Sequence, residues 1–337
     1  FTRSYVEELD QHPDVRLLHG ATLRRLRLEG GGRRAVEGDV AVLGSGSLRV
    51  RARAFVLAAG AVENARILLL SGDGEDRCPG NAHGWVGRCF MEHPRDHGLS
   101  LTPYSPRLFS EVLFYDRREG PGGTVVGGRL GLGRGAVEGE ALPNASVTLL
   151  PRIRERSSLW NWAVRFWLCP HSSGLRGFRG GYGWSRMKDP ARWLEGFRLV
   201  VNTEQRPHPE NRIVLSGKKD ALGVPRAELH WRWRPREQAE LERLRSSLAT
   251  WMERSGFGRV TIRKELPPDP NACHHAGTTR MHADPRWGVT DPHGRVHGTD
   301  NLFVVGGSLF PTSGYANPTL TIVALALRLA DHLAQGV

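Results

Sequence analysis

Asn301-Leu302-Phe303-Val304-Val305-Gly306-Gly307-Ser308 is an apolar run that ends in two glycines. A parallel strand buried on both faces reads this way where the chain must then turn tightly. After Pro311-Thr312-Ser313-Gly314-Tyr315-Ala316-Asn317-Pro318-Thr319, the residues Leu320, Val323, Ala324, Ala326, Leu327, Ala330 and Leu333 recur at helical spacing. That spacing predicts a helix to the end of the chain. Asn317 is a good N-cap, and Pro318 suits the first helical position, where a missing N–H costs nothing. Free amides and a positive helix end should therefore project beyond Gly306 and Gly307, which favours an anion there.

The same grammar occurs near the start. Phe55-Val56-Leu57-Ala58-Ala59-Gly60 is another continuous apolar run, and Gly60 lets it turn into a helix expected over Val62 to Ser71. A strand, a small-residue turn and a helix let a dinucleotide backbone come close, although in isolation an ordinary βα crossover is the preferred reading. Upstream, Val15-Arg16-Leu17-Leu18 is expected as a short strand and Leu23 to Leu28 as a second. Ala41 to Leu43 and Leu48 to Arg53 form a hairpin around Gly44-Ser45-Gly46.

From about 97 to 265 the texture changes to strands and loops rich in Gly, Pro and Trp. Arg212 to Ser216 and Ala227 to Trp233 alternate as antiparallel strands, with Trp231 and Trp233 on one face and Arg232 on the other. Leu241, Leu244, Leu248 and Trp251 fall on one side of a helix over about 236 to 254. Trp160, Trp162 and Trp167 are read as core packing ahead of pocket lining.

At 337 residues with 39% hydrophobic side chains, the chain is long enough for two domains or one domain with a large insertion. Its net charge is +12, but the only lysines are Lys188, Lys218, Lys219 and Lys264, and the arginines are spread from end to end. Such spacing fits a solvated surface, and no nucleic-acid partner is expected. No apolar run reaches bilayer length, so a soluble, cytoplasmic protein is expected. Cys78, Cys89, Cys169 and Cys273 lack paired spacing, which argues against a disulfide framework or a metal site. Phe1 carries no initiator Met and no signal-like pattern, so the chain reads as the later part of something longer.

About forty positions before Asn317 lies Cys273-His274-His275-Ala276-Gly277-Thr278-Thr279-Arg280-Met281. Neighbouring side chains in an extended segment point to opposite sides, so the two histidines do not easily bind one metal. One of them could act as a general base near neutral pH; taken alone, His274 reads first as a hydrogen-bonded structural histidine.

Taken together, HHAGTTRM from His274, GVTDPHGRVHG from Gly288 and DNLFVVGGSLFPTSGYANPTLTIVALALRLADHL from Asp300 closely resemble the C-terminal region of the glucose-methanol-choline (GMC) oxidoreductases. FVLAAGAVENARILLLSG from Phe55 resembles the family's strand and helix beside the flavin, and GWVGRCFMEHP from Gly84 resembles its next stretch. The resemblance covers about residues 15 to 98 and 267 to 335.

The resemblance implies an α/β fold, α+β overall, in three parts. Residues 1–96 would be the second part of an FAD-binding Rossmann-like domain. Residues 97–265 would be a substrate domain with an antiparallel sheet covered by helices, and 266–337 the C-terminal part of the FAD domain. His274 takes the position of the family's catalytic base and Asn317 that of its partner. FAD would be held by Leu23, which offers its backbone to the adenine, by Ala59 and Gly60 along the dinucleotide, and by Gly306 and Gly307 beside the ribityl chain. Asn317, Pro318 and Thr319 would sit at the pyrimidine end of the isoalloxazine. Many members carry Asp where Gly306 stands here, so that contact falls to backbone.

The implied reaction oxidises a CH–OH group of a sugar, glycoside or other alcohol, with the proton going to His274 and hydride to flavin N5. Oxygen, a quinone or a cytochrome would take the electrons. No G-x-G-x-x-G follows a strand, so a further N-terminal segment or a separate chain is expected to complete the FAD site. A flavin-bound lyase and a non-catalytic or split-subunit remnant are the competing expectations.

Overall fold

The computed structural model describes residues 3–42, 44, 46–74, 77–119, 123–154, 183–187, 189–269 and 273–336. Trp160, Trp162 and Trp167 lie outside them. The architecture is mixed α/β with one parallel strand pair and several antiparallel sheets.

Helix α1 (Arg3–Gln11) leads into the segment expected as a first strand. Val15 to Leu18 instead takes no strand partner among the described residues. A turn precedes it, where the Val15 N–H donates to the His12 carbonyl at 3.1 Å, and four residues leave too few ladder bonds to compensate. Strands β1 (Ala21–Glu29), β2 (Arg34–Val42) and β3 (Gly46–Val50) form an antiparallel meander. The middle strand begins well before the expected Ala41. Glu37, Gly38 and Asp39 interrupt its apolar alternation, yet β2 is paired on both edges and Glu37 is buried under Arg27, Arg49 and Arg51.

The chain then forms β4 (Phe55–Leu57) and α2 (Gly60–Leu70). Next come β5 (Arg95–Pro103), β6 (Leu130–Gly131), β7 (Ala145–Ile153), β8 (Leu194–Thr203), β9 (Arg212–Lys219), β10 (Pro225–His230), α3 (Pro235–Arg254) and β11 (Gly258–Ile262). Five of these strands form one antiparallel sheet in the order β11-β5-β8-β7-β6. Leu241, Leu244, Leu248 and Met252 of α3 pack onto Leu99, Leu101, Phe197, Leu199 and Val260 of the sheet. Strand β10 stops before Trp231 and Trp233, which lie just past its end with ring centroids 6.4 Å apart.

Between helix and sheet lies a fully buried ion pair. Arg245 of α3 donates from Nη2 to Asp96 Oδ1 at 2.5 Å and from Nε to Oδ2 at 2.9 Å. Its Nη2 also reaches the Leu266 carbonyl at 2.7 Å, while Asp96 accepts the Gly98 N–H at 2.9 Å. One guanidinium thus ties α3, β5 and the segment after β11 together, with most of the pair's lone pairs and protons engaged.

The chain ends in β12 (Leu302–Val304) and α4 (Thr319–Ala334). Among the described residues, no helix is long and apolar enough to cross a membrane.

Candidate active site

Strands β4 and β12 pair in parallel, Phe55 opposite Leu302 and Leu57 opposite Val304, and the Val305 N–H extends the ladder to the Leu57 carbonyl at 2.9 Å. Ala59-Gly60 and Gly306-Gly307 therefore leave the carboxyl ends of adjacent parallel strands, where open α/β sheets bind ligands. Gly60 (φ 83°) and Gly306 (φ 117°) both occupy the left-handed half of backbone space, and a Cβ built on either meets no heavy atom within 4 Å. The two turns thus face open space with bare backbone, which fits a dinucleotide drawn along them.

Asn64, wholly buried on α2, fastens these turns together. Its Oδ1 accepts the Ala59 N–H at 2.8 Å, and its Nδ2 donates to Ser308 Oγ at 2.9 Å and to the Val305 carbonyl at 3.2 Å. An Asn in the middle of an apolar helix is the sequence signal for such a staple. Leu23 stands on β1 opposite Val40 and packs against the cluster of Leu26, Leu57, Leu68 and Val304.

Gly307 is pressed on its other side. A Cβ there would lie 2.9 Å from the His275 carbonyl oxygen and 3.7 Å from Ile322 in the first turn of α4. The histidine segment runs along the same strand end: Gly277 N–H donates to the Gly307 carbonyl at 3.2 Å and Thr279 N–H to Ser308 at 2.9 Å. The structure so brings His274, Gly307 and the start of α4 into one neighbourhood.

Asn317 is not the N-cap of α4, contrary to the sequence expectation. Pro318 takes that place with φ −79° and ψ −11°, and its carbonyl accepts the Ile322 N–H at 2.9 Å. The helix starts with Thr319 after the proline, so the exposed Asn317 amide caps nothing and has no partner among the described residues. The apolar residues of α4 are divided between two faces. Ile322, Leu325 and Leu329 face the protein, while Leu320 (83% exposed), Leu327 (63%) and Val323 face outward.

His274 is half-buried. Its Nδ1 lies 2.5 Å from Nε2 of His93, its backbone N–H donates to Glu92 Oε2 at 3.2 Å, and Nε2 has no partner among the described residues. Burial, with Arg95 and His275 adding to it and Glu92 opposing, holds His274 below the ordinary histidine value, so its ring is neutral at neutral pH. His275 points elsewhere and donates from Nε2 to Glu92 Oε1 at 3.0 Å. Gln205, fully buried, accepts the Glu92 N–H at 3.0 Å and the Trp231 indole N–H at 3.1 Å. Glu92, His93, Asn64 and Gln205 were not among the residues singled out from sequence, although Glu92 and His93 sit inside the quoted GWVGRCFMEHP stretch. Among the described residues, no group of three or more His, Cys, Asp or Glu is placed to hold a metal ion.

Glu92 raises His275 above its ordinary value of 6.5, chiefly through their hydrogen bond. A raised folded value means that this pairing stabilises fully below about 6.5 and that its contribution is lost as pH rises through the raised value. In Glu92→Gln the His275 ring titration, followed by NMR, is expected to fall back towards an ordinary histidine; an unmoved titration would disprove the pairing.

Residues 207–326 match the family model described as GMC oxidoreductase. Paromamine 6'-oxidase of Streptomyces fradiae is 29% identical over 98% of this chain and 54% of its own length. The fructose dehydrogenase large subunit of Gluconobacter japonicus is 29% identical over 85% of this chain and 48% of its own. The chain thus spans about half the length of these curated relatives. The crystal structure of pyridoxine 4-oxidase from Mesorbium loti shares the fold, with a TM-score of 0.53 at 19% identity over 96% of this chain and 59% of that one. Beside the parallel strand ends and the histidine segment laid across them stands this match: residues 207–326 are what the chain shares with the GMC oxidoreductase family, as that family's C-terminal domain.

Proposed function

We propose that this chain belongs to an FAD-dependent oxidoreductase that oxidises a CH–OH group of a sugar, glycoside or other alcohol. The observation that carries the proposal is the His274 ring: neutral, anchored at Nδ1, with Nε2 unengaged among the described residues, beside glycine turns at the ends of parallel strands. In this role His274 Nε2 accepts the proton of the substrate hydroxyl, and the Asn317 amide donates to the same oxygen. Leu23, Ala59, Gly60, Gly306, Gly307, Pro318 and Thr319, with Asn317, line the side on which FAD is held. Bound flavin supplies the acceptor for the carbinol hydrogen and its electron pair. The names of the relatives, an oxidase of paromamine and a dehydrogenase of fructose, support this substrate class.

Residues 1–96 and 266–337 form the flavin side in this scheme, and 97–265 the substrate side. The outward face of α4 supports a further element over it. Leu320, Val323 and Leu327 leave a contiguous apolar strip bare, as does Val56 on β4. Such surface on a helix apolar nearly all round calls for cover. Additional sequence of the flavin domain, or a companion chain, would supply it.

The test is the visible spectrum of the complete gene product, taken anaerobically before and after sugars and alcohols are added. Flavin bands that bleach with one class of alcohol support the proposal and count against a flavin-bound lyase. A colourless product that also refuses added FAD would overturn it.

A further inference from the structure

His93 is 1% exposed and lies on the three-residue link between Met91 and the start of β5. Its ring is tilted 53° against that of His274, with centroids 4.6 Å apart and the facing nitrogens 2.5 Å apart. The contact is built from both sides. Met91 and Ala276 exchange two backbone hydrogen bonds of 3.0 Å, and Arg95 and Asp269 exchange another two at 2.9 and 2.7 Å. Glu92 holds the backbone N–H of His274 and the ring of His275. The 91–95 segment is thus stitched along the histidine segment on either side of His93, leaving the two rings little freedom to separate.

Two neutral imidazoles facing one another nitrogen to nitrogen share one hydrogen, and only two arrangements exist. If His93 donates, His274 must carry its own proton on Nε2 and cannot accept another there. If His274 donates from Nδ1, its Nε2 keeps a lone pair directed away from His93. We propose that His93 is the positioning residue of the proton acceptor: it accepts the Nδ1–H of His274, which fixes that ring and its tautomer and leaves Nε2 as the base. When a substrate hydroxyl gives up its proton, the O–H bond breaks and an Nε2–H bond forms. The Nδ1–H stays in place, and His93 neither gains nor loses a proton. This assignment rests on the proposed role of His274.

The charge environment suits a neutral partner. His93 is pushed down to about 4, first by burial and then by His274, Arg95 and Arg129, with Glu92 opposing. His274 faces Glu92, Arg95 and His275 as well as His93. A carboxylate in the place of His93 would raise His274 and protonate it near neutral pH. A buried imidazole fixes the ring without that penalty, so the base is ready at a lower pH. Once His274 is charged, the two arginines keep the proton from passing on to His93.

The test needs neither flavin nor substrate. In protein labelled with ¹⁵N-histidine, ring NMR at neutral pH is expected to show the His274 proton on Nδ1. In His93→Leu, which removes the acceptor and keeps the site apolar, the proton should move to Nε2, the form favoured by a free neutral histidine. In His93→Gln, whose side-chain oxygen reaches about where Nε2 lay, it should stay on Nδ1. A wild-type His274 protonated on Nε2, or a tautomer indifferent to His93→Leu, would overturn the assignment; the wild-type spectrum alone decides this if the Leu variant does not fold. In the flavin-loaded gene product, His93→Leu should lower kcat by about 10²-fold with little change in KM, and Gln should recover most of it. A tautomer that responds as expected in a protein that oxidises no alcohol would confirm the pairing while sinking the proposed reaction.

Discussion

His274→Ala is expected to slow anaerobic reduction of bound flavin by the alcohol substrate by about 10²- to 10⁴-fold, or roughly 3 to 5.5 kcal/mol of barrier. The substitution removes the His274 Nε2 lone pair, which no described residue engages, so the hydroxyl proton would have to leave to solvent. The flavin itself should stay bound, because Gly60, Gly306 and the Asn64 staple are untouched. The wild-type rate should also show an acid limb below the ordinary histidine range: burial lowers His274, so the base is lost only when pH falls through that depressed value and the rate is level by pH 7. Stopped-flow absorbance across pH checks both points. An Ala variant that reduces flavin at the wild-type rate would mean that His274 is structural.

Arg245→Met is expected to destabilise the fold by about 3 to 5 kcal/mol, because it strands the Asp96 carboxylate in a dry interior. Asp96 is fully buried, and the Gly98 N–H is then its one remaining hydrogen bond among the described residues. Urea unfolding should show a lower midpoint with little change in slope. The double variant Asp96→Leu with Arg245→Met should recover most of the loss, since a well-packed apolar pair often replaces a buried ion pair without harm. A double variant no better than the single would show that the Leu266 carbonyl, also bonded by Arg245, matters as much as the carboxylate.

Where a signal is local, the sequence carries it. Leu241, Leu244 and Leu248 mark the buried face of α3, and the continuous runs at Phe55 and Leu302 mark the two parallel strands, because each feature repeats within one element. Signals that depend on partners far along the chain are silent. Nothing in the spelling of Asp96 or Arg245, 149 positions apart, says that they meet. The same holds for His93 and His274, separated by 181 positions. The start of α4 was misplaced for a different reason. Asn and Pro both favour helix starts, and only the backbone angles show that Pro318 takes the cap and leaves Asn317 outside. The outward turn of Leu320 and Leu327 was equally hidden, since helical spacing marks an apolar stripe without saying whether described protein covers it.

The parallel pair has one more consequence, for how such a chain can be assembled and varied. Asn301 donates to the Arg53 carbonyl across 248 positions and holds Ala35 by both its N–H and its carbonyl, so segments far apart in the chain are knit directly to each other. During synthesis β4 must wait for its mate until Val304 has emerged, and β5 of the intervening antiparallel sheet likewise waits for β8 and β11, far along the chain. Closing a loop costs only about 0.6 kcal/mol more for each doubling of its length. The middle can therefore lengthen, shorten or be exchanged with little penalty to the junction. Variation can then accumulate there, leaving the strand ends and the paired histidines undisturbed.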